Sequence, residues 1–122
     1  MVHRPTPNTR NLVQGDDVVA FSSDGVAYHV HLSFDGISLA RPARAENEIL
    51  VNVSKDGGKT WADGMAAMNH INTVTPFEDK PDIVVDNAST SRGKGNVYIA
   101  STRFDVYGSA NPGTAYSGDC GR

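Results

Sequence analysis

Ile49-Leu50-Val51-Asn52-Val53 followed by Ser54-Lys55-Asp56-Gly57-Gly58-Lys59-Thr60-Trp61 is the stretch that decides the fold. Its first five residues put Ile49, Val51 and Val53 on one face, the period of a half-buried strand. The eight that follow have the chemistry of a tight hairpin turn. Asp56 is placed to accept backbone N–H groups, the two glycines permit positive φ, and the Ser54 and Thr60 hydroxyls can tie the ends together. Trp61 then offers a large apolar anchor for a small sheet. This chemistry gives Asp56 a structural role and sets it apart from any catalytic carboxylate.

Working outward toward the N-terminus, residues 18–21 (VVAF) form a short apolar run and Ser22-Ser23-Asp24-Gly25 carries turn residues. Residues 26–34 (VAYHVHLSF) then alternate as a strand. On the C-terminal side, Met65 to Met68 is short and flanked by Gly64 and Asn69, so loop is expected in preference to a helical turn, with a fourth strand near His70 to Val74. The pattern then restarts. Ile83-Val84-Val85 follows Pro81 as Val19-Ala20-Phe21 follows Asp17, an offset of about 64 positions. Gly25-x-Ala27-Tyr28 and Phe34-Asp35 return as Gly95-x-Val97-Tyr98 and Phe104-Asp105, at an offset of about 70. The second hairpin loop, Asp86 to Gly95, is therefore about six residues longer than the first. The division expected is an N-terminal extension over 1–15, a first unit over 16–75, and a partial second unit over 76–122 ending in a glycine-rich tail.

Composition agrees with an all-β chain. Valine occurs 13 times against 4 leucines, and 12 glycines and 6 prolines punctuate the apolar runs, as short strands joined by turns require. With 122 residues, 39% of them hydrophobic, the chain suits one small core and not two. Its 11 basic and 14 acidic residues form no polybasic stripe, which removes the electrostatic footprint of a nucleic-acid binder. No run of about 18 apolar residues is present to cross a membrane as a helix, and the start MVHRPTPNTR lacks the apolar stretch of a secretory signal. The compartment stays open. A single cysteine, Cys120, forms neither an internal disulfide nor a cysteine zinc cluster.

The octet at 54–61 matches S-x-D-x-G-x-T-W at Ser54, Asp56, Gly58, Thr60 and Trp61, and so resembles the Asp-box, or bacterial neuraminidase repeat. Asp79 to Asn87, with Gly95 to Tyr98 and Thr102 to Asp105, is similar to the inner-strand hairpin of bacterial sialidase-like β-propellers. The resemblance covers about residues 16 to 105 and implies antiparallel four-stranded blades around an axis. Propellers have about four to eight blades and this chain holds about one and a half, so an incomplete ring is expected. Its open blade edges offer a route to self-association. The Asp-box marks architecture more than activity, because it also resembles turns in other glycoside hydrolases and in non-enzymatic receptors. The resemblance therefore implies either exo-sialidase-type glycoside hydrolysis or glycan or protein binding without catalysis, with no cofactor, and with the chain alone inactive.

In such a blade, the loops that lead into the first strand and out of the second share one end, opposite the Asp-box turn. Candidates at that end are Asp16, Asp17, Asp35, Arg41 and Arg44 from the first unit, and Glu78, Asp79, Lys80, Arg103 and Asp105 from the second. Sialidases of the family hold a substrate carboxylate with three arginines and use a tyrosine nucleophile paired with a glutamate, plus an aspartate acid/base. Guanidinium forks suit a carboxylate, and two groups flanking the glycosidic bond supply nucleophile and proton. By this resemblance Arg41 and Arg103 are the arginine candidates, and Asp16, Asp17 and Asp79 the carboxylates. Loop arginines are more often solvated charge, and the family's F/Y-R-I-P signature is missing, since Arg4-Pro5 follows His3. No complete catalytic set can be carried over. His29 and His31 share a strand face and form a metal pair only if His70 or His3 supplies a third ligand; the plainer alternative is a solvated polar face.

Overall fold

Alternating runs rich in β-branched residues leave one side of a strand apolar, and that side has to be covered by another layer. The computed structural model describes residues 13–35, 46–71, 73, 76–106, 109–111 and 115–118, and the covering layer in it is a second sheet. Strands β1 (Val13–Phe21), β2 (Ala27–Asp35), β3 (Glu46–Ser54) and β4 (Met65–Ile71) make a four-stranded sheet in sequence order, antiparallel throughout. β5 (Phe77–Val85) and β6 (Val97–Val106) begin a second antiparallel sheet, which β7 (Ser109–Asn111) and β8 (Ala115–Gly118) extend along the free side of β6. Among the described residues there is no helix, and neither sheet closes on itself.

The core lies between the sheets. Tyr28, Val30 and Leu32 of β2 and Ile49, Val51 and Val53 of β3 meet Val85, Val97 and Ile99 of the second sheet, with Met68 of β4 at one side. Burial of each Val, Leu or Ile side chain is worth about 1.5–3 kcal/mol relative to exposure. Phe34 and Phe77 close the seam at one end, ring edge to face with centroids 5.7 Å apart.

The internal repeat extends to the register. Gly15 pairs with Leu32 and Val18 with Val30, whereas Asp79 pairs with Thr102 and Asp82 with Ala100, so the same irregularity falls at matching places in both hairpins. At each break a non-glycine residue takes positive φ, 53° at Asp16 and 54° at Lys80, which is the mark of a β-bulge. The two bulges lie side by side, Lys80 Nζ being 3.8 Å from Asp16 Oδ2. At the other end of the hairpins, Asn87 clamps the first turn. Its Oδ1 accepts the Ser23 N–H at 2.7 Å and its Nδ2 donates to the Phe21 carbonyl at 2.9 Å.

Several expectations require correction. Met65 to Met68 is not loop but the first half of β4, paired with β3 from Met65↔Val51 to Ile71↔Glu46. Long-range pairing and the burial of Met68 outweigh the weak strand propensity of the two alanines. β1 begins at Val13, and β7 and β8 lie in the glycine-rich tail. β7 pairs β6 at Val106↔Ser109 and, after a register shift, at Arg103↔Asn111, β8 pairs it from Ala100↔Ala115 to Val97↔Gly118, and backbone pairing of this kind needs no apolar run. Trp61 does not anchor the core. It is half-buried, its Nε1 donates to the Gly58 carbonyl at 3.1 Å, and its ring meets the His29 ring edge-on at 6.0 Å.

Candidate functional site

Pro76 leads into β5, which opens with Phe77, at the end of the hairpin remote from the Asp56 turn. Glu78 follows with its side chain turned inward onto the first sheet. Asn47 of β3 takes the place of a neighbouring strand there. Its Nδ2 donates to the Pro76 carbonyl and its Oδ1 accepts the Glu78 N–H, both at 3.0 Å. The strand start is thus fixed from the side, and the Glu78 side chain has 0% exposure.

A buried carboxylate needs partners for both oxygens. Glu78 Oε1 accepts from Arg103 Nε at 2.7 Å and lies 3.0 Å from His70 Nε2, while Oε2 accepts the Ser101 hydroxyl. Ser101 Oγ also lies 3.1 Å from Met68 Sδ. Burial by itself would raise the Glu78 pKa. The bonds from Ser101, His70 and Arg103, with the Arg103 charge, outweigh it and hold the carboxyl below its ordinary value. Glu78 is therefore an anion that binds Arg103 from β6, its direct cross-strand neighbour. Arg103 spends its Nε on this contact and keeps 31% of its side chain exposed. A guanidinium held at Nε from behind has its terminal amino groups left for a second acceptor.

The other candidates disperse. Asp16 faces Lys80 across the bulges, and Asp79 Oδ1 accepts the Lys80 N–H at 2.9 Å, a local turn bond. Asp17 lies on the far side of the first sheet, its Oδ2 3.4 Å from His29 Nε2. Arg41 and Arg44 lie outside the described residues, as do His3, Cys120 and the side chains of Asp35 and Asp105. The structure thus joins Arg103 to Glu78 and adds His70, Ser101 and Asn47. The sequence carried no signal for those last three, because His70 and Asn47 come from β4 and β3 and Ser101 reads as an ordinary strand residue two positions before Arg103.

That far side of the first sheet is not the solvated polar face that was the plainer alternative for His29 and His31. Both are buried and their rings stack with centroids 4.9 Å apart. His31 Nε2 is 3.1 Å from Asn52 Oδ1, and Asn52 Nδ2 donates to the Ala62 carbonyl at 3.2 Å. Burial, and then the neighbouring His31, push the His29 pKa below its ordinary value of 6.5 against the opposing pull of Asp17 and Asn52. His70, the candidate third ligand, belongs to the Glu78 cluster instead, and no group of three metal-ligating side chains occurs among the described residues.

At the opposite end, Asp56 sits at the centre of the octet turn. Its Oδ1 accepts the N–H groups of Lys59 and Thr60 at 3.0 and 2.9 Å and the Ser54 hydroxyl at 2.9 Å, and its Oδ2 accepts the Thr60 hydroxyl. The Thr60 hydroxyl and N–H, then Ser54 and Lys59, lower its pKa to about 2. Gly57 and Gly58 take φ of 76° and 88°. The four hydrogen bonds that Asp56 accepts all stay within the turn.

No protein-family model matches the chain, and neither the curated proteins nor the solved structures include a match to it.

Proposed function

We propose that this chain is a section of an Asp-box, sialidase-like β-propeller that binds the carboxylate of an anionic sugar, with Arg103 as a binding group and Glu78 as the residue that positions it. The observation that carries the reading is the Arg103 guanidinium, gripped at Nε by a fully buried carboxylate and still partly exposed. A surface arginine that only solvates charge has no need of such a support. Consistent with a blade, the first sheet is a four-stranded meander and the second repeats its bulge and register.

Binding is favoured over hydrolysis for this chain. The glutamate of a tyrosine–glutamate nucleophile pair must face a tyrosine, whereas the side-chain partners of Glu78 among the described residues are His70, Ser101 and Arg103. Asp16 faces Lys80, Asp17 faces His29 and Asp79 accepts the Lys80 N–H, so among the described residues none of these three acid/base candidates pairs with Arg103. The test is calorimetric titration with N-acetylneuraminic acid and with its methyl ester, alongside a fluorogenic sialoside assay. The reading expects the free acid to bind more tightly than the ester, Arg103→Gln to abolish that preference, and no turnover. Equal binding of acid and ester, or a preference that survives Arg103→Gln, overturns it.

A further inference from the structure

Pairing of β3 with β4 stops at Val51↔Met65, and the chain between the two strands loops out through the octet turn before the Ala62 N–H returns to the Val53 carbonyl at 2.8 Å. Beside this loop a cavity of about 500 Å³ opens. Its size falls within the range of about 300–1,000 Å³ usual for small-molecule sites. Val53, Ala62 and Met65 supply apolar lining, and Met65 is 46% exposed. The Trp61 indole lines the same cavity.

Closing the turn does not call for an indole, since Asp56 takes its four bonds from Ser54, Lys59 and Thr60. The ring is nevertheless fixed in place. Its Nε1 donates to the Gly58 carbonyl at 3.1 Å, and the buried His29 ring meets it at an interplanar angle of 72°. A half-buried aromatic held in this way offers a ligand an apolar surface with little left to order on binding.

The polar lining is mixed in kind. The Lys55 ammonium can only donate hydrogen bonds and the Asp63 carboxylate can only accept them. The Thr60 hydroxyl gives its proton to Asp56, so its oxygen has acceptor capacity left. Lys55 and Asp63 are exposed and line one cavity, yet neither side chain has a hydrogen-bond or ion-pair partner among the described residues, including each other. A ligand that suits this lining has an apolar face for the indole and groups along its edge that both donate and accept. One positive and one negative group also give no preference for net charge, and a sugar acid would bring its carboxylate against Asp63.

We infer that this cavity binds a neutral pyranose sugar, its C–H face on the Trp61 indole and its hydroxyls shared between Lys55, Thr60 and Asp63. The site lies at the end of the first sheet opposite Glu78 and does not depend on Arg103, so either reading can fail alone.

The test is a proton–nitrogen correlation titration of the full chain with glucose, galactose, mannose and N-acetylglucosamine. The readout is the Trp61 Nε1–H, which gives a single indole peak because the chain has one tryptophan. At least one of the four sugars should move that peak saturably, together with backbone amides of residues 55–63. Asp63→Ala and Lys55→Ala should each weaken the binding about tenfold, the worth of one charge-assisted hydrogen bond, with the remaining peaks in place as evidence of an intact fold. Arg103→Gln should leave the affinity unchanged. An indole peak that none of the four sugars moves overturns the inference. So does an affinity unchanged in either Asp63→Ala or Lys55→Ala, or an indole peak that responds to N-acetylneuraminic acid at a lower concentration than to any of the neutral sugars.

Discussion

Replacing Glu78 by alanine removes the carboxylate that ties β5 to β6 through Arg103 and Ser101 and to β4 through His70, while the Glu78 N–H keeps its bond to Asn47 of β3. The change strands the Arg103 Nε–H and the buried Ser101 hydroxyl without their acceptor and opens space where the side chain had 0% exposure. Loss of one partner from a buried ion pair costs about 3–5 kcal/mol. A domain of this size has about 5–15 kcal/mol in total. At roughly 4 °C per kcal/mol the expected fall in Tm is about 12–20 °C. Glu78→Gln should cost less, since an amide oxygen can still accept from Arg103. The assay is urea unfolding followed by the fluorescence of Trp61, the single tryptophan, whose indole packs on the Asp56 turn and on His29. The double variant with Arg103→Met should cost less than the two single changes added together, since the pair is then removed as a unit. A cost below about 1 kcal/mol for Glu78→Ala, or strict additivity with Arg103→Met, would refute the claim that this carboxylate holds the seam.

The pH response should have two separate limbs. Folding lowers the His29 pKa, so the unfolded chain takes up the proton first; that contribution to stability is full above about 6.5 and lost as the pH falls through the folded-state value, and His29→Gln should remove the limb from a plot of urea midpoint against pH. Asp56 contributes above its ordinary value of 3.8 and loses the contribution as the pH falls toward about 2, so Asp56→Asn should flatten the acid end of the same plot. Gly58→Ala meets only ordinary contact with Trp61 but forces an L-residue to a φ near 88°, at a cost of about 1–2 kcal/mol read from the thermal midpoint. Asn87→Ala deletes both bonds to the first hairpin turn, and amide exchange at Ser23 should rise while the core amides of β2 and β3 stay protected.

What the sequence disclosed was what neighbours along the chain determine. The turn at Ser22–Gly25 closes within itself, Gly25 N–H donating to the Ser22 carbonyl at 3.0 Å, and every partner of Asp56 lies within four residues of it. The repeat was legible because glycine, tyrosine and phenylalanine mark hairpin ends whatever surrounds them. What stayed hidden depends on partners distant in the chain. β4 forms from Met-Ala-Ala-Met because β3 offers it an edge, and β7 and β8 form from polar residues because β6 does. The bulges at Asp16 and Lys80 carry no glycine to announce a positive φ. His29 and His31 looked like solvated polar residues, since alternation tells which side chains share a face but not what covers it. Glu78 was legible as one of ten charged residues at its end of the hairpins. Its distinction from the other nine comes from His70, Asn47 and Ser101, which only the packed sheets bring to it.

The side-chain Nε–H of Arg103 is the most direct probe of the whole account. Bonded to a buried carboxylate, it should exchange slowly and give its own resolved peak in a proton–nitrogen correlation spectrum. Addition of N-acetylneuraminic acid should move that peak and those of neighbouring amides on β5 and β6, while a neutral sugar should leave them in place. An Arg103 Nε–H peak that is sharp but indifferent to the acid would contradict the proposed site, and a peak lost to rapid exchange with water would contradict the Glu78 contact on which the site is built.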